Sequence, residues 1–125
     1  MFEKDRAWIE LNKDNFIHNI SVLESGLPQG CRMMPCVKAN AFGHGAVPIS
    51  RMLYEHGTRD YCVACISEAV ELREAGIEGQ ILILGYTDPA DFSALYEYDL
   101  SQTVVDCAYG KVLTLSAVPS GSMWP

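Results

Sequence analysis

The sequence predicts an α/β fold built on a parallel sheet. Three observations predict it. Short apolar runs and helix-period stretches alternate along the chain, at about 20 to 25 residues per pair. One run, Ile81–Leu84, carries no polar residue, as expected for a strand covered on both faces. Helix stops and starts separate the runs, with Gly57 and Gly76 as stops and Asp88-Pro89 as a start. Crossovers of this length between parallel strands are right-handed.

Each element has its own warrant. Trp8-Ile9-Glu10-Leu11 reads as a short strand ahead of the series. Asn12 caps a helix in which Phe16, Ile20, Leu23 and Leu27 recur at helical spacing, until Gly26 and Pro28 interrupt it. Met33–Lys38 is the next strand. Pro35 has no N–H to give a ladder, so regular pairing begins beside it or after it. Ala46–His56 is a helix with Ile49, Met52 and Leu53 on one side and Gly57 past its end. Tyr61–Ile66 is a strand, and Ser67 caps a helix through Ala75 with Glu68 and Glu71 in its first turn. After Ile81–Leu84, Asp88 caps a helix running to about Tyr98. Gln102–Val105 is a further strand, and Asp106 caps a helix carrying Lys111, Val112 and Leu113. Residues 1–113 therefore read as one βα domain. Residues 114–125 lack periodicity and hold two prolines; the expectation is an irregular tail translated out of frame.

Composition narrows the function. The chain has 125 residues, 49% of them hydrophobic and 20% charged, which suits a globular core. Its formal net charge of −7 argues against nucleic acid and anionic membrane as partners. No run approaches the length of a membrane span, and the charged start lacks the apolar region of a signal peptide. The five cysteines are odd in number and fit no disulfide framework, so a reducing cytoplasm is expected. Cys62 and Cys65 have C-x-x-C spacing, but three residues along a strand point to opposite faces. No second such pair follows, so no metal site is expected.

One residue carries the chemistry. Lys38 ends an apolar run and precedes a glycine-rich turn, where desolvating an ammonium is costly. The position suits a lysine that forms a Schiff base with a carbonyl. His44 reads as a turn histidine held by backbone contacts, and His18 and His56 as surface residues on helices. Glu68, Glu71 and Glu74 read as a solvated helix face, and Tyr86 follows a strand end.

The stretch Val37-Lys38-Ala39-Asn40-Ala41-Phe42-Gly43-His44-Gly45 resembles the cofactor-lysine signature of alanine racemases. Arg6–Leu11 is similar to the opening strand of that family, Ile81–Tyr86 to its third barrel strand and Gln102–Val105 to its fourth. The resemblance also extends to the VanT-type serine racemases. It implies the first four units of a (β/α)8 barrel of fold-type III, preceded by a short N-terminal strand. It implies pyridoxal 5'-phosphate as cofactor, an amino acid as substrate and a homodimer as the working form. Lys38 would be the catalytic lysine. Val37, Phe42, Leu82 and Leu84 would line the cofactor together with it. The family usually has tyrosine at Phe42, so one phosphate donor is lost here. The second catalytic base and the main phosphate cup belong to parts of the family fold beyond this series. Hence the chain alone is expected to be inactive, with unpaired sheet edges at Met33–Val37 and Gln102–Val105.

Overall fold

The computed structural model describes residues 6–117. Three parallel strands, β1 (Asp60–Val63), β2 (Gln80–Ile83) and β3 (Ser101–Gln102), form a sheet in the order β1-β2-β3. Cys36 adds a single parallel bridge to Cys62, which extends the sheet by one position beyond β1. Helices α1 (Lys13–Ser25), α3 (Ala46–His56), α4 (Ile66–Glu74), α5 (Phe92–Glu97) and α6 (Cys107–Ala117) accompany the strands. Between the bridge and α3 lies a single helical turn, α2 (Lys38–Phe42).

Most helix boundaries follow from local chemistry. Asn12 caps α1, its side-chain oxygen accepting from Asn15 N at 2.9 Å. Asp88 caps a short 3-10 turn, Pro89–Asp91, that leads into α5. Asp106 Oδ1 accepts from Tyr109 N at 2.7 Å and opens α6. α3 spans the residues the sequence predicts, with Gly57 in the left-handed conformation past its end.

The strands are shorter than their apolar runs. At Met33–Lys38 the expected strand reduces to the Cys36 bridge and two ladder bonds, Val37 N to Cys62 O and Cys62 N to Pro35 O, both 2.9 Å. Pro35 offers a carbonyl but no N–H, and the chain turns at Lys38. β1 ends at Val63, because Cys65 is already the N-cap of α4. Ser67 is therefore inside the helix rather than its cap. β3 stops at Gln102, and Val104 and Val105 are exposed. Trp8–Leu11 pairs with no strand among the described residues. The expected boundary at Leu113 falls within α6. There Thr114 and Ser116 return their hydroxyls to the carbonyls four residues back, at 2.8 and 2.9 Å, and so fit the helix. Residues 118–125 of the expected tail lie outside the described residues.

One face of the sheet makes the core. Tyr61, Val63, Ile81 and Ile83 are fully buried against Leu53, Ala69, Leu72, Phe92 and Leu95 of the helices. Each such side chain contributes about 1.5–3 kcal/mol of burial. Strand side chains alternate. Cys62, Leu82 and Leu84 therefore turn to the opposite, open face.

Candidate functional site

The site forms where the strands end. Lys38 is half-buried there, and among the described residues it is the one half-buried lysine or arginine whose charged group has no partner.

The backbone after Lys38 reverses hand. Ala39, Asn40, Ala41 and Phe42 all have positive φ, between 51° and 55°, and close one left-handed helical turn. Non-glycine residues pay roughly 1–2 kcal/mol each for this conformation. Local bonds hold the turn: Ala41 N donates to Val37 O at 2.9 Å and Gly45 N to Asn40 O at 2.8 Å. Gly43, with φ 89°, continues the left-handed path that glycine adopts at no steric cost.

Side chains pin the turn at both ends. Asn40 Oδ1 accepts from Ala46 N at 2.8 Å, capping α3 in place of Gly45, which has no side chain to do so. Glu68, from α4, accepts Ala39 N on Oε1 and Ala64 N on Oε2, each at 2.8 Å. Sequence reasoning missed this role. The available signal was the spacing of Glu68 three residues after the N-cap Cys65, the acidic half of a capping box. His44 Nδ1 lies 3.0 Å from Ala41 O, so this histidine belongs to the turn. His56 is not a simple surface residue: its Nε2 meets Glu24 at 3.0 Å in a part-buried pair.

The expected cofactor residues fall in two groups. Leu82 and Leu84 share the open face, Leu84 being 41% exposed. Phe42 stands 63% exposed on the turn. Val37 is 2% exposed and packs in the core with Ile49 and Leu53, so it supports the turn from behind. Cys36 bridges to Cys62, whose thiol is pushed up to about 11 by burial and by the neighbouring Cys36, with Lys38 opposing. The Cys62 thiol is therefore protonated and unreactive at neutral pH. Tyr86 is exposed and packs on Tyr109, ring centroids 5.1 Å apart. Among the described residues no group of three or more His, Cys, Asp or Glu side chains could hold a metal ion.

Comparison with known proteins decides the family. The profile described as "Alanine racemase, N-terminal domain" matches residues 11–119. The chain belongs to this family. Its parallel sheet and helices are part of the (β/α)8 barrel of the alanine racemases. The chain is 40% identical over 115 residues to an amino-acid racemase of Enterococcus faecalis, covering 92% of this chain and 16% of that protein. It is 41% identical over 98 residues to the alanine racemase of Carboxydothermus hydrogenoformans, covering 78% of this chain and 26% of the relative. The crystal structure of alanine racemase from E. faecalis superposes with a TM-score of 0.78 at 37% identity, over 82% of this chain and 28% of that one. The chain thus spans about a quarter or less of the length of these two relatives.

Proposed function

We propose that Lys38 is the covalent anchor for pyridoxal 5'-phosphate in an amino-acid racemase that interconverts L- and D-alanine. The observation that supports this most is Lys38 itself: half-buried, two residues past the Cys36 bridge on the side where the parallel strands end, with no carboxylate to satisfy it among the described residues. In barrels of this kind chemistry gathers at that end. No ion pair has to break before this amine bonds a carbonyl carbon.

The residues present fit the lysine and ring parts of the cofactor. Leu82 and Leu84 offer an apolar wall on the open face, which Cys62 shares, and Lys38 lies near enough to Cys62 to act on its thiol. Phe42 brings no hydroxyl to a phosphate, and the N–H groups of Gly43 and Gly45 are taken by the turn. Phosphate donors therefore come from elsewhere in the working enzyme. When bound, the cofactor supplies an electron sink for the negative charge left at an amino acid's Cα. Lys38 Nζ removes or returns the Cα proton on one face, and a homodimer's partner subunit supplies the base on the other. The product serves cell-wall peptidoglycan, and the reducing cytoplasm suits five free thiols. Serine is the alternative substrate, on the resemblance to the VanT-type serine racemases; the E. faecalis relative is named for amino acids in general.

The test is chemical trapping. The chain is incubated with pyridoxal 5'-phosphate, reduced with borohydride and mapped by mass spectrometry across Lys4, Lys13, Lys38 and Lys111. Lys38 should take most of the label, and Lys38→Ala should lose it. An even spread over the four lysines would refute the reading.

A further inference from the structure

We infer that Glu68 is a positioning residue for Lys38, acting through the peptide that joins Lys38 to Ala39. The inference rests on the role proposed for Lys38 and extends it to a residue on another element.

The geometry is specific. Lys38 is not among the residues of positive φ, and Ala39 has φ 51°. The backbone therefore changes hand at the Lys38–Ala39 peptide. The N–H of that peptide is the group Glu68 Oε1 accepts, at 2.8 Å. The other oxygen accepts Ala64 N, one residue past the end of β1, also at 2.8 Å. One carboxylate thus ties the lysine's own peptide to the neighbouring strand. Charged acceptors make the stronger hydrogen bonds. Glu68 sits in the first turn of α4, where the helix dipole favours its negative charge. Glu71 and Glu74 lie exposed on the same helix and show no such contact.

Without this bond, nothing in the described residues accepts Ala39 N–H. The peptide then loses its tie to the neighbouring strand, and the direction in which Lys38 leaves the backbone is less closely fixed. Glutamine at position 68 keeps one acceptor oxygen but presents an NH2 to the second donor. It should keep the fold and lose one of the two ties.

The experiment compares the full chain with Glu68→Gln, Glu68→Ala and the control Glu71→Gln. Three quantities are read: the Ala39 amide by NMR, the share of borohydride-trapped pyridoxal 5'-phosphate on Lys38 relative to Lys13 and Lys111, and the urea midpoint. In Glu68→Ala, which removes both ties, the Ala39 amide should exchange at least about tenfold faster, and in both Glu68 variants it should lose the downfield position of a carboxylate-bound proton. The Lys38 share should fall severalfold in Glu68→Gln, with the urea midpoint nearly unmoved. Glu71→Gln should change none of these. An unchanged Lys38 share in both variants, or an unchanged Ala39 amide, overturns the inference. If Lys38 of the parent chain takes no preferential label, the proposed function fails. Reductive methylation of Lys38 by formaldehyde, which needs no cofactor, then decides the Glu68 question: an altered relative rate in Glu68→Gln upholds it and an unaltered rate overturns it.

Discussion

The two ends of the sheet treat positive charge in opposite ways. Where the strands begin, arginines are matched to acceptors. Arg73 donates to four carbonyls: Nε to Tyr98 O at 2.8 Å, Nη1 to Ile77 O, and Nη2 to both Gly79 O and Asp99 O, each at 2.7 Å. Arg59 donates to Tyr54 O and Thr58 O and stacks on the Tyr54 ring. Arg32 meets the buried Asp60 at 3.1 Å. Where the strands end, Lys38 has no partner among the described residues, and the chain around it adopts a conformation that costs free energy. One end of the barrel segment holds the loops together, and the other leaves the Lys38 amine unpaired among the described residues.

This contrast can be broken at several points. The largest effect is expected at the stabilising end. Arg73→Ala leaves four carbonyls without their donor and should cost about 3 kcal/mol or more, read as a lower urea midpoint. The Lys38 share of trapped cofactor in the folded fraction should not change. A fall in that share would show that the two ends are not independent.

A smaller effect comes from alkali. Burial pushes the Tyr61 phenol up to about 12 and, with Cys36, the Cys62 thiol up to about 11. Both groups release their protons more readily when unfolded, near pH 10 and 9 respectively. The stability they contribute is whole below those values and drains away as pH rises through the folded ones. Between about pH 9 and 12 the chain should lose on the order of 2 kcal/mol. Urea midpoints across this range should fall for the parent and fall less for Tyr61→Phe. Parallel slopes would assign the loss to other groups.

The smallest effect sharpens the contrast at the lysine end. Ala39→Gly removes a left-handed penalty and should stabilise the chain by up to about 1 kcal/mol, net of the freedom glycine gains when unfolded. The same change loosens the turn, so the Lys38 share should drop as stability rises. Stability and labelling falling together would mean that the turn is not strained.

Much of this was legible in the sequence because it was local. The caps at Asn12, Asp88 and Asp106 act within three residues of themselves, and α3 is bounded by glycines that set its ends. The short β1 was harder to read, since Ala64, Cys65 and Ile66 continue its apolar run while the backbone has already turned into α4. The left-handed turn was not legible at all. Ala39, Asn40, Ala41 and Phe42 carry no glycine to announce positive φ, and the tie at its start comes from Glu68, 29 residues away. For the same reason Glu68 reads as a solvated carboxylate on a helix face until the tertiary contact is seen. The burial of Val37 was not legible, because only the structure shows which residues of the run face the helices.

The reach of Glu68 also bears on the order in which the chain can take shape during synthesis. Each strand pairs with the one next to it in sequence, and the Cys36 bridge pairs with β1. Everything that fixes the lysine turn lies at or before Glu68 in the sequence: Asn40, Ala46, Ala64 and Glu68 itself. Closing loops of this size carries a modest entropic cost. A nascent chain that has released α4 from the ribosome already holds every contact that orients Lys38, before the arginine-tied loops beyond it have been made.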